Sequence, residues 1–73
     1  SEYVVAKDKL ALNQRAAASA EAGYEVVADN FRVGKATATD VLEAELQRIT
    51  STLDDINARI DVRVAQEKLR YAT

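Results

Sequence analysis

The sequence predicts an all-α protein, an antiparallel two-helix coiled-coil hairpin, from three observations. The 73 residues contain no proline and only two glycines, and 30% of them are charged. This composition is typical of long helices and unfavourable for sheets. Apolar residues recur every three or four positions in both halves, and the rhythm stops only in the stretch 31–45. We therefore expect a single small domain made of two helical arms and one turn.

The first arm is expected over about residues 2–33. Its seam residues step by three and four in alternation over four heptads, which is the a/d pattern of a coiled coil. Asn13 lies on this seam, where a polar side chain can fix the register between two helices. The alanine-rich stretch 16–22 either lets helices approach closely or reflects the high helix propensity of Ala. The seam consists of Tyr3, Ala6, Leu10, Asn13, Ala17, Ala20, Tyr24, Val27 and Phe31.

The second arm, expected over about residues 39–72, carries two apolar stripes. The larger residues form a seam with the same three-and-four spacing, and smaller residues near the end of the chain form a stripe on another face. Because one partner helix cannot cover both, we expect the second arm to have neighbours on two sides. The expected seam is Leu42, Leu46, Ile49, Leu53, Ile56 and Ile60; the second stripe is Ala58, Val62, Ala65, Leu69 and Ala72.

The two seams also predict which residues face each other. Pairing residues whose numbers add to 73 sets small residues of the first arm against large residues of the second, as interdigitating layers require. The chain would then fold back between residues 36 and 37, with arms about 50 Å long at 1.5 Å per residue. The expected pairs are Phe31–Leu42, Val27–Leu46, Tyr24–Ile49, Ala20–Leu53 and Ala17–Ile56.

The turn, expected over about residues 34–38, contains residues suited to ending one helix and starting the next. Gly34 stands where the first helix needs a residue that tolerates a left-handed φ. Thr37 and Asp40 are three residues apart and could cap each other's backbone, with Asp in place of the usual Glu or Gln. Thr39 or Asp40 could instead cap the helix, with Glu43 in its first turn.

Composition argues against several classes of function. The chain has no His, no Cys and no glycine-rich phosphate loop, so we expect neither an enzyme nor a cofactor site. Its net charge of −2 gives no electrostatic reason to expect nucleic acid. No uncharged run exceeds five residues, so we expect no membrane-spanning segment within these residues. Because the chain starts without Met and both ends fall inside the helical pattern, we expect it to be a segment of a larger protein.

The acidic residues are expected to form solvated surfaces. Adjacent carboxylates such as Asp54 and Asp55 could in principle bind Mg²⁺ or Ca²⁺, but neighbours in sequence point in different directions on a helix. Asp55 and Arg59 have the spacing of an ordinary surface ion pair. Glu45 and Arg48 have it too.

The residues around the fold point follow a distinctive order, Phe31-x-Val33-Gly34-x-x-x-x-Thr39-Asp40-Val41-x-x-Ala44. This order resembles the periplasmic hairpin tip of the TolC-type outer-membrane efflux proteins, and more the first than the second of their two internal repeats. The resemblance covers residues 31–73, whereas the first arm is similar only in its heptad pattern and its Ala-rich, polar character. It continues through Ala58-Arg59, Ala65-x-Glu67-x-Leu69-Arg70 and Thr73.

The resemblance implies a part of a trimeric channel that lies in the periplasm of a Gram-negative bacterium. Members of the family have a β-barrel in the outer membrane and a long helical tunnel below it, lined by such hairpins. The hairpin tips meet the tips of a periplasmic adaptor, or membrane fusion protein, which is bound to an inner-membrane pump. The implied partners are thus the adaptor and neighbouring hairpins of the same channel, and no cofactor is implied.

Carried over residue by residue, the resemblance assigns the tip two surfaces. Val33, Gly34 and Lys35 would be offered to the adaptor. Phe31, Thr39 and Asp40 would lie near neighbouring hairpins at the aperture, and Glu43 would add to its acidic lining. The chain departs from the family at Phe31 and Ala36, because some family hairpins carry a Tyr and an Arg near the tip that link neighbours by polar contacts.

The alternative is a stand-alone antiparallel coiled-coil interaction module, either an adaptor-side hairpin or a chaperone-like binder. An adaptor hairpin would be expected to carry an Arg-Leu-x-x-Leu-type pattern near its tip, and the stretch 31–45 contains none. A pair of helices lying on a membrane surface is disfavoured, because the polar faces mix both signs of charge.

Overall fold

The computed structural model describes residues 1–71, and within them the chain forms two helices and no strand. Helix α1 spans Glu2–Arg32 and helix α2 spans Ala38–Tyr71. They lie antiparallel, with Lys68 near the end of α2 bonded to Glu2 at the start of α1 at 2.9 Å. The molecule is a rod of 60 × 14 × 11 Å. The predicted two-helix hairpin is confirmed; Ala72 and Thr73, which the sequence prediction included, lie outside the described residues.

Helix α1 begins and packs as its sequence predicts. The Ser1 hydroxyl accepts a hydrogen bond from the Val4 backbone N–H at 3.3 Å and so caps the first turn. Of the predicted seam, Ala6 is buried and the remaining positions are half-buried, apart from Phe31, which is 48% exposed. The a/d pattern of the first arm therefore does mark the face that packs against α2.

Helix α2 packs through a different face from the predicted one. Its buried residues are Ser51, Asp55, Ala58 and Ala65, with half-buried Val41, Ala44, Arg48 and Val62 between or beside them. These positions also alternate steps of three and four, so they form a second valid a/d seam. The small residues predicted as an additional stripe, Ala58, Val62 and Ala65, thus belong to the contact with α1.

The predicted Leu and Ile seam of α2 is wrong, and so are the five pairs built on it. We call this set, Leu42, Leu46, Ile49, Leu53, Ile56 and Ile60, the outer stripe; its members are 44% to 64% exposed. In the heptads defined by the buried face, they occupy the b and f positions, roughly 150° around the helix from the seam. The physical reason is steric: α1 already contributes the large seam residues Tyr3, Leu10 and Tyr24, and a face of small residues on α2 accommodates them.

The interface inside the hairpin is thin as a result. The buried apolar residues are Ala6, Ala58 and Ala65, and alanine removes little apolar surface from water compared with Leu or Ile. Asp55 is buried in the same interface, with its Oδ2 accepting a hydrogen bond from Arg59 at 2.9 Å. The predicted surface ion pair therefore forms, but its acidic partner lies inside the hairpin.

Candidate functional site at the hairpin tip

Gly34 closes helix α1 in a left-handed conformation, with φ of +79°. Its N–H donates to the Phe31 carbonyl at 3.1 Å, and the Lys35 N–H donates to the Asn30 carbonyl at 2.7 Å. These two bonds form a Schellman motif, which satisfies carbonyls that the helix end would otherwise leave unpaired. The role predicted for Gly34 as a helix-closing residue is confirmed.

Helix α2 begins with a reciprocal cap between Thr37 and Asp40. The Asp40 N–H donates to Thr37 Oγ1 at 3.1 Å, and the Thr37 N–H donates to Asp40 Oδ2 at 2.9 Å. This is a capping box with Asp in place of Glu, one of the predicted alternatives. The chain between the two helices is thus fixed by backbone and capping hydrogen bonds at both ends.

The three residues assigned to adaptor contact form the exposed apex of the rod. Val33 is 68% exposed, and Gly34 and Lys35 are exposed as well. A Cβ placed on Gly34 would meet nothing within 4 Å, so the glycine is required by the backbone angle and not by crowding inside the chain. A partner could therefore approach the Gly34 backbone closely, and Val33 would add an apolar contact beside it.

The residues assigned to the aperture lie on two sides of the tip. Thr39, Asp40 and Glu43 are exposed on the first turns of α2, although the Asp40 carboxylate is engaged in the capping box. Phe31 lines a shallow groove together with Tyr24 and Val41. Phe31 thus contributes to a groove between the two helices, whereas Thr39, Asp40 and Glu43 do not line it.

A polar cluster joins the two helices below the tip, and sequence reasoning missed it. The Arg48 guanidinium lies over the Tyr24 ring, 4.4 Å from its centroid, and Arg48 Nη1 is 3.6 Å from Glu21 Oε2. Arg48 also donates to Glu45, its predicted partner one turn away. The signal available in the sequence was the three-and-four spacing that joins Arg48 to Ala44 and Ser51. The more apolar outer stripe has the same spacing and obscures that signal.

This cluster shifts the pKa values of its charged members. The hydrogen bond from Arg48 lowers the pKa of Glu45 below its usual value, and burial opposes that shift. The same hydrogen bond raises the pKa of Arg48. Both shifts favour the charged forms, so the pair stays ionised at neutral pH.

Residues 1–71 lack two other kinds of site. In that part of the chain, no three acidic, His or Cys side chains lie close enough together to hold a metal ion. Neither described helix contains a stretch apolar and long enough to cross a membrane. Comparison of the chain with protein-family models, with curated proteins and with solved structures finds no match.

Proposed function

We propose that this chain is the periplasmic hairpin and tip segment of a trimeric outer-membrane efflux or type I secretion channel, and that it docks tip to tip with a periplasmic adaptor protein. The observation that carries the proposal is the position of the family-like order of residues. It lies at the apex of a 60 Å rod, where Val33, Gly34 and Lys35 are exposed. The proposal concerns binding and structure and involves no catalysis.

The geometry of the tip supports close docking on a partner's backbone. The Schellman and capping-box hydrogen bonds hold the turn in one shape, so little conformational freedom would be lost on binding. Gly34 presents backbone without a side chain, and Lys35 offers a charge beside it. One tip of three residues offers a small contact, so tight docking would depend on several tips acting together.

Neighbouring hairpins of the same channel are the second proposed partner. Phe31, Thr39, Asp40 and Glu43 would lie at the mouth of the tunnel, where the acidic side chains would meet whatever passes through. The outer stripe supports a neighbour on the far side of α2, because it leaves six Leu and Ile side chains in water.

The test is a site-directed crosslink made in the parent channel. The chain has no Cys, so a Lys35→Cys variant places one reactive thiol at the tip of this segment. We expect a short bifunctional maleimide to join it to a cysteine in the tip of the adaptor's hairpin. Ser19→Cys, an exposed site halfway along α1, is the control and should give no adaptor crosslink. Equal crosslinking from both positions would contradict tip-to-tip docking.

The outer stripe also favours the second candidate, a stand-alone coiled-coil interaction module, since any helical partner could cover it. The parent reading frame separates the two functions. A channel requires flanking β-strand segments and a second copy of the Gly-x-x-x-x-Thr-Asp-Val tip. A reading frame that lacks both would favour the stand-alone module.

A further inference from the structure

The outer stripe is an exposed heptad seam whose spacing suits antiparallel pairing. From Leu42 to Ile60 its steps are four, three, four, three and four, the same read from either end. If two copies of α2 pack antiparallel with residue 51 of one opposite residue 51 of the other, each stripe residue lies opposite a stripe residue of the second copy. The layers would be Leu42 with Ile60 of a second copy, Leu46 with Ile56, and Ile49 with Leu53.

We propose that α2 pairs with α2 of a second copy of this chain, antiparallel, through the outer stripe. The b and f positions of the hairpin's heptads act as the a and d positions of this second coiled coil, because they too alternate steps of three and four. Helix α2 is then packed on both sides, with α1 of its own chain on one face and the second copy on the other.

Charges beside the stripe select the antiparallel orientation. Glu45, Thr52 and Arg59 lie seven residues apart along one edge of the stripe. In the antiparallel pair this edge faces itself, so Glu45 comes within about 3 Å along the axis of Arg59 from the second copy, at 1.5 Å per residue. In a parallel pair this edge of the two copies lies on opposite sides of the coil, so Glu45 and Arg59, which pair with Arg48 and Asp55 of their own helix, would gain no charged partner across the interface.

The exposed surface of the single chain includes the outer stripe along much of α2. The hairpin exposes 5510 Å², whereas a compact monomer of its mass, 8.0 kDa, exposes about 4,450 Å². The 60 × 14 × 11 Å rod shape accounts for this excess. Among the described residues, the buried apolar positions are three alanines, so covering the stripe would add larger apolar side chains to the buried surface.

This pairing belongs to the free chain and does not rest on the proposed channel function. It directs the two tips to opposite ends, whereas the hairpins of a channel point the same way. Channel assembly and self-pairing would therefore compete for the outer stripe. Sedimentation of the free chain involves neither adaptor nor channel, so a negative result there would leave the proposed docking untouched.

The test is the molar mass of the 73-residue chain by sedimentation equilibrium over a range of concentrations. We expect a monomer–dimer equilibrium that Leu46→Glu weakens about tenfold or more, a change of about 1.4 kcal/mol. Leu12→Glu is the matched control, because Leu12 and Leu46 are both 64% exposed but Leu12 lies on α1. Far-UV circular dichroism confirms that both variants stay helical. A monomer at all concentrations, or equal weakening by both substitutions, would overturn the proposal.

Orientation is tested with single cysteines and a short bis-maleimide. We expect a mixture of Glu45→Cys and Arg59→Cys chains to crosslink to each other, and Glu45→Cys alone to crosslink far less. Crosslinking of the mixture that is no stronger than that of Glu45→Cys alone overturns the antiparallel assignment.

Discussion

The Arg48 guanidinium of α2 lies 4.4 Å from the centroid of the Tyr24 ring of α1, and so links the two helices across their interface. The same guanidinium is 3.6 Å from Glu21 of α1 and is hydrogen-bonded to Glu45 of α2. Because the buried apolar core is made of alanines, this cluster is a larger part of the interface than it would be in a Leu-rich hairpin.

A double-mutant cycle on Tyr24 and Arg48 should reveal a favourable coupling. Tyr24→Leu and Arg48→Met each keep an apolar side chain and remove the cation–π contact. We expect a coupling free energy of about 0.5–1 kcal/mol from urea unfolding, the usual range for exposed cation–π pairs. The control is Tyr3 and Lys7, a pair 5.3 Å apart within α1 alone. A coupling for Tyr24 and Arg48 that is indistinguishable from zero would show that the contact does not hold the helices together.

The stability of the hairpin should fall in acid partly through Glu45. Its pKa is lowered in the folded chain by the Arg48 hydrogen bond, from a usual value of 4.5. The unfolded chain therefore binds the proton more tightly, and the stabilisation is complete above the unfolded pKa and is lost as pH falls through the folded one. We expect the free energy of unfolding of Glu45→Gln to vary less between pH 7 and pH 3 than that of the wild type, in urea titrations at each pH.

The Arg48→Met variant tests whether the Arg48 hydrogen bond causes this acid dependence of stability. It removes the hydrogen bond that lowers the Glu45 pKa, so it should flatten the acid dependence in the same way. If Glu45→Gln leaves the pH dependence of the free energy of unfolding unchanged, the ion pair contributes nothing to acid sensitivity.

Asp55 should be destabilising where it stands. Its Oδ2 accepts from Arg59, but its Oδ1 is buried without a hydrogen-bond partner. Removing one partner of a buried ion pair is costly when the other charge stays buried, but the Arg59 side chain is 61% exposed and would remain in water. Ala is also the best helix former. We expect Asp55→Ala to raise the free energy of unfolding by about 1 kcal/mol, measured by urea or thermal unfolding.

Asp54→Ala is the matched control, because Asp54 is the exposed neighbour of Asp55 on the same helix. A surface change of this kind should stay within about 0.5 kcal/mol of the wild type. Should Asp55→Ala prove less stable than Asp54→Ala, the buried carboxylate would have to be fixing the register of the two helices.

Features formed by residues close together in sequence could be predicted, whereas features formed by residues far apart in sequence could not. The helix ends at Gly34 and Thr37 were predictable, because Schellman and capping-box hydrogen bonds join residues three to five apart. The packing face of α2 was not, because two stripes satisfy the same spacing and apolar size favours the one that contains Leu46. The structure buries Ser51 and Ala58 instead. Which of the two stripes of α2 packs against α1 depends on the residues that α1 presents. Those residues are distant in sequence, so the local pattern of α2 does not reveal the answer.

The same reasoning explains the tip and the cluster below it. Val33, Gly34 and Lys35 could be placed at an exposed apex because the helical rhythm stops there and Gly34 can close a helix, although the pairing that set the fold point was wrong. The contact between Arg48 and Tyr24 could not be anticipated, since it requires the packing face that the sequence prediction assigned wrongly.

The two glycines should respond in opposite directions to alanine, although neither has a neighbour within 4 Å of the added Cβ. Gly34 has φ of +79°, where an L-residue with a side chain is strained, so Gly34→Ala should lower the free energy of unfolding by about 1–2 kcal/mol. Gly23 lies inside helix α1, so Gly23→Ala should raise it by about 0.5–1 kcal/mol. Urea unfolding of both variants measures the difference. Because the added Cβ meets no neighbour at either site, the difference in stability between the two variants reports the difference in backbone conformation. If Gly34→Ala is as stable as the wild type, the left-handed turn at the tip is not the conformation of the folded chain.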